Sequence, residues 1–248
     1  MRYFLEIAYL GTYYFGWQRQ PTVITVQEVV ETSLSTLLRK ETPVVGAGRT
    51  DTGVHAKQLF AHFDTDFELD EIDLKYRLNS LLPKDISIQS IRNVTSEAHA
   101  RFHATKRSYE YMLITSKNPF MEGFAYWVHR IPNVTAMNKA AELLLTHRDF
   151  QCFSRSNTDV KTYYCHISTA KWEEENEKLV FKISADRFLR NMVRAIVGTL
   201  LEVGYGKCSL NELQTILDSK NRSNAGASAP AHGLYLTEVA YPETLFTK

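Results

Sequence analysis

An aspartate two residues beyond an arginine, set in a run punctuated by glycine, is the combination in this chain that most plausibly does chemistry. The run is GAGRTDTGVHA, Gly46 to Ala56, with Arg49 and Asp51 at its centre. Its glycines let the backbone turn tightly or approach another molecule closely, and loops held by a rigid scaffold are where reactive groups concentrate. Asp51 is a candidate nucleophile or general base, a role in which a neighbouring cation favours the ionised form. A structural Arg–Asp pair that stiffens the turn is the other reading of the same letters.

Other chemistries fit the loop poorly. It lacks the Lys-Ser/Thr of a P-loop, Asp51 falls where a dinucleotide fingerprint needs its third glycine, and a strand rather than a helix follows. His99 and His103 in HARFH are the only hint of metal ligation, with no cysteine or third histidine nearby, and hydrogen-bonding histidines are the simpler reading. The three cysteines, Cys152, Cys165 and Cys208, show no reactive setting. A glycosidase would need a second carboxylate, and nothing ties Asp64, Asp66 or Glu68 to the loop.

Three further features point to a nucleic acid without proving one. Tyr109 and Tyr111 alternate on SYEYMLIT and share a strand face; beside Arg107, one of them offers a surface for base stacking, although core packing is the commoner use of such positions. Arg101, Lys106 and Arg107 lie close together, and Arg187, Arg190 and Arg194 follow at helical spacing. Arg194 borders an apolar stripe and needs a partner, for which Asp51 is a candidate. Bulk electrostatics is silent, because 29 basic against 28 acidic residues leave a net charge of +1.

The elements that must position these groups can be read from periodicity. Residues 2–9 alternate as a strand and lead into GTYYFGWQRQP. A Thr25/Glu28 capping box then precedes a helix carrying Val29, Val30, Leu34, Leu37 and Leu38. Strands are expected at 43–46 and 58–64 on either side of the loop, a helix near 71–80, and a strand at 86–92. From Lys106 the order restarts: two strand-like stretches, a helix preceded by Thr135, strands near 163–173 and 179–185, and a long helix with Leu189, Met192, Val193, Ile196, Val197 and Leu200 on one stripe. A Ser209/Glu212 capping box opens another helix, KNRSNAGASAPAHG forms a long loop that is a candidate lid, and LYLTEVAY is a closing strand. This pattern predicts an α+β protein of two units, residues 1–105 and 106–248, with a largely antiparallel sheet. An apolar content of 44% supports a real core. Unpaired cysteines, a first strand starting at once and no apolar run of membrane length predict a cytoplasmic protein.

Taken together, these blocks resemble the TruA family of tRNA pseudouridine synthases. GAGRTDTGVHA is similar to that family's signature loop, with Thr52 where alanine is usual. GTYYFGWQRQP resembles its GTxFxGWQxQP block, with Leu10 replacing an aspartate. TVQE at Thr25, NSLLP at Asn79, HARF at His99, FLRNMVR at Phe188 and APAHGLYL at Ala229 also fit, while His166 stands where arginine is expected. The resemblance implies two RRM-like, ferredoxin-like sandwich units with an active-site cleft between them. It makes Asp51 the catalytic aspartate and Arg194 its partner, with Tyr109 stacking on the target uracil, Arg49 binding RNA and displacing the base, and Arg101 making a further contact. It implies isomerisation of uridine at positions 38, 39 and 40 of the tRNA anticodon stem-loop by a homodimer, without metal or small-molecule cofactor. A non-catalytic RNA-binding module and an N-glycoside hydrolase are the competing readings.

Overall fold

The computed structural model describes residues 1–155 and 160–247, which divide into two compact units. Each is an α+β sandwich with a largely antiparallel sheet, the class that the element order predicts. The first unit comprises Met1–Lys106 together with the chain from Tyr235 onward, and the second runs Arg107–Leu234. The closing strand, which sequence order leaves with the second unit, therefore groups with the first.

In the first unit, strand β1 (Arg2–Tyr9) is central, with antiparallel partners β3 (His55–Asp64) on one side and β4 (Ile86–Val94) on the other. The two-residue strand β2 (Val45–Gly46) also pairs with β3. Both faces of β1 are covered: Tyr3 stacks on Phe63, while Phe4, pointing the other way, meets Phe60, Tyr241 and Phe246. Helix α1 (Val26–Leu38) buries Val26, Val30 and Leu34 and packs against α2 (Glu71–Leu81). Only half of the expected capping box forms on α1. Thr25 Oγ1 accepts from the Glu28 N–H at 3.4 Å, whereas the Glu28 carboxylate faces Arg19 at 3.9 Å.

Strand β9 (Leu234–Ala240) joins β3 in parallel, with His55 opposite Tyr235 and Ala56 opposite Leu236. That pairing, together with Tyr9 opposite Ala56, carries β3 back to His55, three residues ahead of where its alternation is legible.

In the second unit, β5 (Lys106–Ile114) pairs antiparallel with β8 (Lys178–Ala185), which pairs antiparallel with β7 (Ile167–Glu175), and the short β6 (Tyr126–Trp127) runs parallel to β5. Helix α3 (Val134–Thr146) lies against β7 and α4 (Met192–Gly204). It starts one residue before Thr135 because the Asn133 side chain caps it, accepting from the Ala136 N–H at 3.0 Å. Helix α5 (Leu210–Ser219) has both halves of its Ser209/Glu212 capping box. No helix among the described residues is long and apolar enough to cross a membrane.

Candidate active site

Asp51 sits half-buried on the turn between β2 and β3, with Arg49 exposed two residues before it and Thr50 buried between them. The turn closes on itself: the Val54 N–H donates to the Asp51 carbonyl at 3.1 Å, and Gly53 takes a φ of +78° that L side chains rarely adopt.

What holds this turn is the GTYYFGWQRQP block. The Trp17 N–H donates to the Thr50 carbonyl at 3.4 Å, and the Gly53 N–H donates to the Tyr14 carbonyl at 3.3 Å. From β1, the Tyr9 hydroxyl meets Thr50 Oγ1 at 2.8 Å in a buried bond. Gly11 donates its N–H to His55 Nδ1 at 3.0 Å and lies so close to Val54 that a Cβ would stand 2.0 Å from that carbonyl oxygen. At Gly16, φ is +87° and a Cβ would stand 2.4 Å from the Thr50 oxygen. Gly46, before the turn, is backed by Trp17, whose ring stacks on Tyr9.

Two sequence blocks thirty-odd positions apart thus form one clasp, and Gly11, Gly16 and Gly46 mark places where backbone meets backbone or ring. Sequence reasoning singled out Arg49 and Asp51 but missed Tyr9, Gly11, Gly16 and Trp17 as their supports. The glycine-aromatic composition of the block was the available signal.

Behind the turn, Tyr235 stacks on the fully buried His55 at 4.7 Å between ring centres, and Lys57 lies 5.7 Å from the Tyr235 ring. Burial pushes the Tyr235 phenol up to about 12, and burial together with the Asp85 carboxylate raises that of Tyr14, whose hydroxyl donates to Asp85 at 2.7 Å. Both phenols therefore stay protonated at neutral pH.

Arg101 is exposed on a separate turn of the first unit. Its N–H donates to His99 Nδ1 at 3.1 Å, and its guanidinium lies 5.6 Å from the ring of the exposed Phe102. Next to it His62, buried on β3, accepts from the Ala100 N–H at 3.2 Å. Burial, with Arg2 and His99 close by, holds the His62 ring down at about 4, so it is neutral.

In the second unit, Tyr109 and Tyr111 share a face of β5 but have different fates. Tyr111 is fully buried and donates its hydroxyl to the Pro230 carbonyl at 2.8 Å, the core role that strand tyrosines usually play. Tyr109 is half-exposed, and Phe188 meets its ring edge-on at 5.2 Å.

Arg194 projects half-buried from the first turn of α4, and its Nε donates to the Ala229 carbonyl at 2.8 Å while the Ala229 N–H donates to its own carbonyl at 2.9 Å. The long loop before β9 is strapped along α4 by these bonds, by Gly226 donating to Thr199 Oγ1 at 3.0 Å and by Asn191 donating to Ser228 Oγ at 2.6 Å. Its contact with α4 is so close that a Cβ on Gly198 would stand 1.8 Å from the Ala227 oxygen. The segment expected as a lid is a fastened buttress for Arg194. The helical spacing of Arg187, Arg190 and Arg194 also fails, because α4 begins only at Met192, after Asn191 turns left-handed with φ 65°.

Among the described residues there is no cluster of three or more His, Cys, Asp or Glu side chains able to hold a metal ion. Burial pushes the Cys152 and Cys165 thiols up to about 12, so neither is a thiolate at neutral pH. Asp51 sits on a turn held from both sequence blocks.

Comparison with known proteins gives the class of this α+β chain. A family model described as tRNA pseudouridine synthase matches residues 7–103 and 140–242, and the chain belongs to that family. Proteins named tRNA pseudouridine synthase A are similar along their whole length. That of Bacteroides fragilis is 50% identical over 247 residues, covering 99% of this chain and 98% of its own. That of Porphyromonas gingivalis is 50% identical over 249 residues, covering 99% of each. The Bacillus licheniformis protein is 39% identical over 245 residues, covering 97% of this chain and 99% of its own.

Proposed function

We propose that this protein converts uridine to pseudouridine at positions 38, 39 and 40 of the tRNA anticodon stem-loop, with Asp51 as its catalytic carboxylate. The observation that carries the assignment is the clasp around Asp51: buried hydrogen bonds and glycine contacts fix the loop of one acid, in a chain of the tRNA pseudouridine synthase family.

The reaction is an isomerisation. The N1–C1′ bond breaks, the uracil turns over, C5 joins C1′, and the C5 proton leaves as N1 gains one. A carboxylate serves by attacking C1′ or by taking the C2′ proton while the base turns. Either route needs one ionised acid and neither needs a second, which fits a loop with a single carboxylate better than hydrolysis does. The target nucleotide must leave the stem. Arg49 is exposed for RNA binding and base displacement, and Tyr109 is the aromatic floor on which the extruded uracil stacks. Arg194 is the partner of Asp51; its support is the buttress at Ala229, which orients the guanidinium. Arg101, beside the exposed Phe102, makes a further RNA contact. The protein acts in the cytoplasm, where tRNA is matured, as a homodimer with each tRNA spanning both subunits.

The assignment is tested by treating tRNAs carrying uridine at 38, 39 or 40 with the protein and mapping pseudouridine by carbodiimide-blocked primer extension. Stops at those positions are expected. Modification confined to another part of the tRNA refutes the site assignment, binding without modification favours an RNA-binding module, and release of free uracil favours a hydrolase. Tyr109→Phe keeps the stacking face and is expected to retain activity that Tyr109→Leu loses; the opposite order refutes the stacking role.

A further inference from the structure

One end of the second unit's sheet gathers cations that the proposed chemistry does not use. Arg107, the second residue of β5, lies opposite Ala185, the last residue of β8, and Ile167 of β7 lies opposite the same alanine, so the three strand ends are neighbours. The turn after β8 is fastened by Asp186. Its Oδ1 accepts from the N–H groups of His166 and Arg187, both at 2.7 Å, and its carbonyl accepts from Arg107 Nη1 at 2.8 Å. The Arg155 N–H donates to the Arg190 carbonyl at 3.1 Å, bringing a fourth arginine to the same turn.

The backbone of this turn thus brings Arg155, Arg187 and Arg190 together with the Arg107 guanidinium and the exposed His166, around a carboxylate that is engaged with backbone. Arg187 and Arg190 make no ion pair among the described residues, and Arg190 is exposed. Between them in sequence lies Phe188, whose ring meets Tyr109 edge-on. The charged turn is therefore continuous with the aromatic surface assigned to the target base.

We infer that the turn of Arg187 and Arg190 is a phosphate grip, holding the RNA backbone next to the extruded nucleotide and positioning that nucleotide over Tyr109. The inference rests on the proposed tRNA activity and deepens it. Guanidiniums pair with phosphate oxygens in a bidentate manner and displace condensed counterions, so the grip is independent of sequence and sensitive to salt.

The test measures tRNA affinity from 50 to 200 mM salt for the wild type, Arg187→Ala/Arg190→Ala and Arg187→Lys/Arg190→Lys. Each lost phosphate contact removes about 0.7–0.9 from the slope of log affinity against log salt. The double alanine variant is thus expected to be shallower by roughly 1.4–1.8, which makes its affinity loss across that range about seven- to twelvefold smaller than the wild type's. The lysine variant keeps the charges and keeps the slope. KM for tRNA rises in the alanine variant, equally for tRNAs of different sequence.

A folded alanine variant with the wild-type slope overturns the grip, and so does a lysine variant that loses it. If the double variant unfolds, Arg190→Ala, at an exposed position, is expected to lose about 0.7–0.9 of slope by itself, and an unchanged slope there is equally fatal. A wild type that binds tRNA without making pseudouridine refutes the activity instead, so the two failures are distinguishable.

Discussion

Replacing Gly16 with alanine tests whether the clasp sets the geometry of Asp51. Gly16 lies in a different sequence block from the loop and carries no functional group, so it can act only by shape. Its φ of +87° is one that an L side chain occupies at a cost of about 1–2 kcal/mol. The added Cβ would also stand 2.4 Å from the Thr50 oxygen and 3.2 Å from the Asp51 carbonyl carbon, so about 1 Å of separation must be found to reach ordinary van der Waals contact. The Gly16 side cannot easily yield. Its carbonyl accepts the first N–H of α1, from Val26, at 3.2 Å, and the next residue, Trp17, donates to Thr50.

The loop must therefore move, and a misplacement of about 1 Å at a reacting group is worth roughly a hundredfold in rate. A destabilisation of about 2 kcal/mol lowers the melting temperature of a chain this long by roughly 4–8 °C. The assay is tritium release from tRNA labelled at C5 of uridine, at saturating tRNA, alongside thermal unfolding. Gly48→Ala is the comparison for stability, because a Cβ there meets nothing within 4 Å, and its melting temperature is expected to match the wild type. A folded Gly16→Ala protein turning over at the wild-type rate would refute the reasoning.

Other perturbations probe the remaining supports. Tyr9→Phe strips Thr50 Oγ1 of its buried 2.8 Å partner and is expected to lose about 1–2 kcal/mol of stability, measured by denaturant unfolding; no loss means that the bond is dispensable. Gly198→Ala drives a Cβ into the Ala227 oxygen and lifts the buttress from Arg194, so about 1–3 kcal/mol of stability and much of kcat should go together; an active, fully stable variant contradicts the buttress. His62 titrates at about 4 in the folded protein against about 6.5 when unfolded. Unfolding thus takes up a proton between those values, and the contribution is complete above pH 6.5 and lost as pH falls toward 4. His62→Gln should flatten the stability profile across that window, and identical profiles for the two proteins would exclude the histidine.

Much of this architecture is legible locally. The periodicity of α1, α3 and α5, the caps at Thr25 and Ser209, and the placing of Asp51 on a turn between strands all follow from neighbours within a few residues. What escaped depends on partners far along the chain. Tyr235 opposite His55 joins residues 180 positions apart, and no local pattern announces that the closing strand returns to the first unit. The early start of β3 follows from that same pairing. At α4, apolar spacing runs back through Leu189, yet Asn191 in a left-handed conformation holds the helix start at Met192 and leaves Arg187 and Arg190 on the turn between β8 and α4. The glycines of the first block read only as loop signals, whereas each is fixed by a contact from a second block. Loop composition likewise suggests a lid over residues 220–233, but its small residues are what allow backbone to lie directly on α4.

The central claim, that Asp51 performs the isomerisation, is tested most directly by following C5 tritium release and pseudouridine formation on tRNA with the wild type and Asp51→Ala, after both are shown to be folded and to bind tRNA. The account predicts one tritium released for each pseudouridine formed by the wild type, and no turnover by the variant. An Asp51→Ala protein that still converts uridine at the wild-type rate would contradict it.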